Sequence, residues 1–323
     1  MDVGQLAGWT PIRFYWEEAF AMVDWCYTGE RRFTDPFFYQ TIDRCLRHPF
    51  NALFRHQTPI ETLRESAEAH ACVPPTGFVF HLSRCGSTLL AQMLSALPRN
   101  VVISEAAPID SILRSRLHNR NVSDETRAEW LRWMISSLGQ RRSGDEKHLF
   151  IKFDSWSILD FNTIRRAFPD VPWIFLYRDP VEILVSQIRR RGAHMVVGGL
   201  EPELLGMDYP SILQMEPTEF CARALAVVCA AALEHRDGGR FINYHQLPDV
   251  AWSSLLDFFH VEYTSAEADR MRHASRLDAK NPSMRFVDDT AQKSQEASPQ
   301  VREMSDRWIK PIYERLEAAR LSS

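Results

Sequence analysis

The stretch Gly77–Glu105, GFVFHLSRCGSTLLAQMLSALPRNVVISE, reads as strand, loop, helix and strand, with a carboxylate at its end. Phe78, Val79, Phe80 and Leu82 form a short apolar run, the pattern of a strand buried on both faces. Ser83-Arg84-Cys85-Gly86-Ser87-Thr88 breaks the pattern. From there Leu89, Leu90, Met93, Leu94 and Leu97 recur at helical spacing, and Val101, Val102 and Ile103 make a second strand. A small polar loop between a buried strand and a helix N-terminus is an anion site. The free N–H groups of the first turn point at it, and the helix dipole favours negative charge there. Arg84, Ser87 and Thr88 add side-chain donors. The loop is therefore expected to hold a phosphate, with the rest of the chain arranged around what that phosphate carries.

Downstream, three more short apolar runs alternate with helical patterns: Leu149–Phe153, Pro172–Tyr177 and Arg240–Tyr244. Helices are expected from Ala107-Pro108, from Asp124 to Leu138 behind Ser123, after Phe153, from Asp179-Pro180, from Glu219 to His235, up to about Phe259, and from Val301 to Leu321. Short strands alternating with helices give an α/β fold, a doubly wound, mainly parallel sheet flanked by helices, over residues 76–323. Residues 192–217, with Gly198-Gly199 and prolines 202, 210 and 217, are irregular and read as a lid or binding loop. Residues 1–75 differ. They are rich in aromatics and Arg, and Asp35-Pro36 looks like a helix start with Phe37, Phe38, Ile42, Cys45 and Leu46 on one face. One reading is a helical extension packed on the main domain, the other an aromatic wall for a substrate. Aromatic stripes at helical spacing are usually core, so a helical N-terminal extension is expected.

The segment Tyr177–Gly192, YRDPVEILVSQIRRRG, supplies a second anchor. Asp179 caps a helix that Pro180 begins, and Val181, Leu184, Val185 and Ile188 form its buried face. Arg178 stands at the carboxyl end of a strand, where ligands bind in open α/β sheets. Ser186 and Arg190 are spaced as i, i+4 neighbours on the helix that follows. Together the three can grip a second phosphate through charge-assisted bonds. The alternative is a solvated basic face with Arg178 paired to Asp179. Beside an independent anion loop, the phosphate reading is preferred.

Bulk composition limits the remaining classes. At 45% hydrophobic, the 323 residues suffice for a large core. The net charge of −4 argues against a nucleic-acid partner. No signal-peptide pattern opens the chain, and the most apolar helical run, residues 224–233, is too short to span a bilayer. Six scattered cysteines form no CxxC pair or Cys/His cluster and are expected as reduced thiols, which places the chain in the cytoplasm with no metal site.

These motifs resemble those of sulfotransferases that use 3′-phosphoadenosine 5′-phosphosulfate (PAPS), and the resemblance covers residues 77 to about 260. Arg84-Cys85-Gly86-Ser87-Thr88-Leu89 resembles the family's 5′-phosphosulfate loop, and Arg178 with Ser186 its 3′-phosphate motif. Arg190, Arg84 and Glu105 resemble the tyrosylprotein-type branch. Lys152 matches a Lys near the third strand, and Tyr244-His245-Gln246-Leu247 a late Tyr-x-x-Leu. Arg276, Lys280, Arg285 and Lys293 are candidates for the family's basic closing segment, and Lys280 is counted among the expected cofactor-binding residues. Two departures stand out. Cys85 replaces the usual Ser, and Ala106-Ala107-Pro108 follows Glu105 where the tyrosylprotein group has Thr-Arg, which points away from a tyrosine-peptide acceptor.

The resemblance implies a P-loop-like sulfotransferase fold, PAPS as co-substrate and 3′,5′-ADP as product, no metal, and a small-molecule acceptor hydroxyl or amine. Ser83, Arg84 and the loop N–H groups would hold the 5′-phosphosulfate, Lys152 would steady the leaving oxygen, and Glu105 would take the acceptor proton, with His81 and His245 as rival bases. A structural ion pair of Glu105 with Arg84 or Lys152 stays open. So do an ATP-dependent P-loop phosphotransferase and a non-catalytic nucleotide-binding module. Against the former, position 81 is His where the motif needs Gly, and Ser87, not Lys, follows Gly86.

Overall fold

In the computed structural model, which describes residues 6–287 and 289–322, the five expected strands form one parallel sheet. They are β4 (Pro75–His81), β5 (Asn100–Ser104), β6 (His148–Lys152), β7 (Trp173–Tyr177) and β8 (Gly239–Asn243). Their order is β5-β6-β4-β7-β8, and every neighbouring pair is parallel. The chain leaves central β4 for one side of the sheet and later crosses to the other, so the carboxyl end of β4 lies at the switch point where open α/β sheets bind ligands. Phe78, Phe80, Phe150, Phe175 and Trp173 are fully buried, as a sheet covered on both faces requires. The mixed α/β expectation therefore holds, and so do the helices Ser87–Ser95, Asp124–Leu138, Pro180–Arg189 and Pro217–Glu234.

The N-terminal segment corrects the helical expectation. Residues Trp9–Glu17 (β1), Phe20–Tyr27 (β2) and His56–Pro59 (β3) form a separate three-stranded antiparallel sheet in the order β1-β2-β3. Among the described residues there, α-helix is found at Phe38–Leu46, Pro49–Leu53 and Glu61–Ala69. Pro11 sits where the β1–β2 register shifts, a place in a ladder that tolerates a residue without an N–H. Part of the aromatic set is core under this sheet: Phe14 and Trp16 pack on Trp130 of the Asp124–Leu138 helix, ring centroids 5.6 and 5.9 Å apart, whereas Phe20, Tyr39 and Phe54 are exposed. Asp35 does not cap the first helix, which starts at Phe38; its carboxylate instead accepts from Thr41 Oγ1 at 2.6 Å.

Candidate functional site

The loop after β4 places its groups by backbone geometry. Arg84 (φ 65°) and Glu105 (φ 53°) are two of the four non-glycine residues with positive φ among those described. Such conformations concentrate where a surrounding structure holds a side chain for a purpose. Gly86 has φ 87° and is the N-cap of the Ser87–Ser95 helix, with no side chain capping that end. A Cβ at Gly86 would also lie 2.6 Å from Tyr244 Cδ2, so both the turn and the overlying ring demand glycine. The first-turn N–H groups are left for a ligand.

Around this turn Ser83, Cys85, Ser87, Thr88 and Leu89 are buried and Arg84 is half-buried. Ser83 Oγ accepts from Gln187 Nε2 at 2.9 Å, and Gln187 Oε1 accepts from the Gly192 N–H at 3.0 Å. The loop is thereby tied to the end of the next helix. Arg84 donates to the Arg190 carbonyl. Burial pushes the Cys85 thiol up to about 12, so this residue is a filler of the turn and not a nucleophile.

Lys152 and Glu105 meet at the ends of β6 and β5. The Glu105 N–H donates to the Lys152 carbonyl at 2.8 Å, and the Lys152 ammonium donates to Glu105 Oε1. Lys152 is 1% exposed and the Glu105 side chain 26%. Burial alone would raise the Glu105 carboxyl. The Lys152 charge, helped by His81, outweighs it and holds the group well below the usual carboxylate range. His81, expected as a rival base, is buried, with Nε2 3.1 Å from the Phe153 carbonyl and 3.5 Å from Glu105. Its own burial, then Lys152, lowers its pKa, so it is a neutral support of Glu105. His245 is exposed beyond β8, with its backbone N–H on Asn243.

The second anchor differs from expectation. Arg178, 5% exposed, is already paired: Nε donates to Glu182 Oε2 at 2.6 Å, and Nη2 lies 3.1 Å from Thr290 Oγ1 and 3.3 Å from Asp289 Oδ1. The Tyr244 ring covers its guanidinium, 4.0 Å from the centroid. Ser186 is half-buried on the helix, and the Arg190 N–H donates to its carbonyl at 3.2 Å, so the i, i+4 spacing holds along the backbone. The helix ends at Arg189, and Arg190 turns into an extended conformation (φ −154°, ψ 98°). Its charge acts on Arg84 and Lys280, and its carbonyl accepts from Arg84, so Arg190 joins the loop to the end of this helix. Lys280 reaches the same place from the turn that Asp278 Oδ1 closes by accepting from the Lys280 and Asn281 N–H groups, at 2.9 and 2.7 Å. Desolvation, then Arg84, Lys152 and Arg190, push its ammonium down to about 8.

Two further residues reach the site from segments that the sequence read only as a possible aromatic wall and a binding loop. Phe37 lays its ring 5.4 Å from Lys152 Nζ, so the N-terminal segment does reach the site, through one aromatic residue. His194, on a turn of the 192–217 loop, has Nε2 3.2 Å from Ser155 Oγ and its ring 4.9 Å from that of Trp156. Its burial, then the nearby His81, pushes its pKa down to about 4. Two cavities flank these groups. One of about 810 Å³ lies between Leu89, Tyr244, Trp252 and Leu277 and the basic side chains Arg272, Arg276 and Arg285. The other, about 470 Å³, lies between Arg13–Trp16 of β1, Asp110 and Arg114 of the Ala107–Leu113 helix, and Glu201.

No helix among the described residues is long and apolar enough to cross a membrane. No family model matches the chain, and no curated protein matches it. Solved structures similar to it include the sulfotransferase domain from the curacin biosynthetic pathway, 14% identical over 73% of this chain and 98% of that one, with a TM-score of 0.44. A sulfotransferase from Mycobacterium avium is 15% identical over 79% of each chain, TM-score 0.46. One from Alicyclobacillus acidocaldarius is 19% identical over 77% and 96%, TM-score 0.44. The likeness is distant, and any donor, acceptor or catalytic residue has to be argued from the geometry of this chain.

Proposed function

We propose that this chain transfers a sulfuryl group from PAPS to the hydroxyl or amine of a small-molecule acceptor. The observation that carries the reading is the helix end at Gly86, uncapped by any side chain, near the pair of buried Lys152 and part-exposed Glu105, with Arg84 half-buried in the same loop. An anion-holding turn beside a buried cation and a carboxylate supplies what in-line transfer needs: a grip on the leaving phosphate, charge for its bridging oxygen, and a base. The 810 Å³ cavity shares Leu89 and Tyr244 with this turn and has the size and aromatic lining for a nucleoside.

In the proposed reaction the acceptor oxygen or nitrogen attacks sulfur while the bond from sulfur to the bridging oxygen breaks. The electron pair of that bond stays on the 5′-phosphate of 3′,5′-ADP, and the acceptor proton goes to Glu105. As long as Lys152 grips Glu105, the carboxylate is a poor base. A donor phosphate competes for Lys152, and a carboxylate so released returns toward the higher value that its burial favours. Donor binding would thus arm the base. The acceptor would approach past Phe37 and His194, with the 470 Å³ cavity beside β1 as its outer room.

The test is ligand-dependent stability followed by turnover. The thermal midpoint should rise with 3′,5′-ADP far more than with ATP and magnesium. The chain should then release 3′,5′-ADP from PAPS when supplied with a panel of alcohols, phenols and amines. A midpoint that responds only to ATP with magnesium would replace this reading with phosphotransfer.

A further inference from the structure

Beside the Pro180–Arg189 helix two cations are each 5% exposed, Arg178 at the end of β7 and Lys293 on the Thr290–Glu296 helix. One carboxylate bridges them. Asp289 Oδ1 lies 3.3 Å from Arg178 Nη2, and Oδ2 lies 2.8 Å from Lys293 Nζ. The Thr290 hydroxyl is 3.1 Å from the same Arg178 nitrogen. Glu182 holds the other edge of the guanidinium, and Tyr244 covers its face. An oxyanion clamped between an Arg fork, an ammonium and a hydroxyl is how a phosphomonoester is bound. Here the oxyanion comes from the chain itself. It sits on a seven-residue helix outside the sheet, joined to the neighbouring helix at the surface by the Arg189–Glu296 pair, 2.8 Å. The Asp289 side chain is 38% exposed, so it can leave for water without being buried elsewhere.

We propose that Asp289 is an internal surrogate for the 3′-phosphate of the nucleotide, bridging Arg178 and Lys293 beside Thr290, and that the 3′-phosphate binds only by displacing this carboxylate. The inference rests on the donor reading above and adds to it the residue that competes with the donor for the strand-end cations. A phosphate brings more charge and a third acceptor oxygen, so it displaces a single carboxylate. The competition lowers apparent affinity by the fraction of molecules in which Asp289 is in place. It also makes the site selective, because a nucleotide lacking the 3′-phosphate gains nothing by displacing Asp289.

The experiment compares the full chain with Asp289→Asn and Lys293→Met, titrated calorimetrically with 3′,5′-ADP and with 5′-AMP. Asp289→Asn should bind 3′,5′-ADP about five- to thirtyfold more tightly and 5′-AMP unchanged, whereas Lys293→Met should weaken 3′,5′-ADP about tenfold and leave 5′-AMP alone. Asp289→Asn leaves two buried cations short of a partner, so its ligand-free thermal midpoint should fall and 3′,5′-ADP should raise it by more than it raises the unsubstituted chain. Equal or weaker 3′,5′-ADP binding by Asp289→Asn, or an equal change for both nucleotides, overturns the inference. If the unsubstituted chain binds neither nucleotide, the donor reading fails and inorganic phosphate becomes the probe. Tighter phosphate binding by Asp289→Asn then supports the site, and equal binding overturns it.

Discussion

The two places expected to hold phosphate are built in opposite ways. At the turn after β4 the donors are backbone N–H groups at an uncapped helix end, with Arg84 half-buried beside them. Those N–H groups have no partner inside their own helix, so the turn stays open to an anion. At the end of β7 the donors are side chains, and the chain has neutralised them with Glu182 and Asp289. A guanidinium taken almost wholly out of water has to be paired, because an unpaired buried charge costs several kcal/mol. Backbone anion sites can therefore wait empty, whereas buried side-chain anchors come with a rival already bound. The loop half should set whether a donor binds and reacts, and the strand-end half should set which nucleotide is chosen.

The largest effect should come from the loop half. Glu105→Gln keeps the shape of the side chain and removes the base, so turnover should fall about 10²–10⁴-fold while 3′,5′-ADP still raises the thermal midpoint. Undiminished turnover would break the assignment and move proton removal to His194, which faces the same charges. Gly86→Ala comes next. An alanine at this positive φ costs about 1–2 kcal/mol, and its Cβ would press on the Tyr244 ring, which adds to that cost. Affinity for 3′,5′-ADP and for 5′-AMP should fall together, by about ten- to thirtyfold. A loss confined to 3′,5′-ADP would show that the turn reads the second phosphate, which would erase the division between the halves.

Arg178→Ala addresses the other half. It should weaken 3′,5′-ADP about five- to tenfold and 5′-AMP hardly at all, since part of what Arg178 offers is already spent on Asp289. Equal losses for the two nucleotides would make Arg178 a structural anchor of the Thr290–Glu296 helix and nothing more.

What could be read from the sequence follows the range of the forces involved. The five parallel strands are short runs buried on both faces, and the loop, Glu105, Lys152 and Arg178 all stand at strand ends, so local pattern located them. The β1–β2 hairpin was hidden because Pro11 breaks its ladder and its aromatics bury unevenly, leaving no clean alternation. The i, i+4 spacing of Ser186 and Arg190 holds through a backbone hydrogen bond, but Arg190 is the C-cap and leaves the helix in an extended conformation that spacing does not report. Asp289 meets Arg178 from 111 residues away, and Phe37 and His194 reach the site from outside its motifs. No spacing rule reports such contacts; only tertiary packing makes them.

The smallest expected effect falls between the two halves, on Lys280. Its ammonium faces Arg84, Lys152, Arg190 and the Glu105 carboxylate, and it is pushed down to about 8 by desolvation and then by the three cations, against Glu105. It is therefore charged below that value and neutral above it, and its attraction for a donor phosphate is present at pH 7 and lost as the pH rises through about 8. Because the side chain is exposed, the attraction is modest, about two- to fivefold in affinity. Calorimetric titration with 3′,5′-ADP from pH 6.5 to 9.5 should show that decline, and Lys280→Gln should flatten it at the weaker level. Added salt should shrink the same step, since exposed charges are screened within about 10 Å at 0.1 M. A decline that persists unchanged in Lys280→Gln would take the titration away from Lys280 and remove its part in the pH dependence.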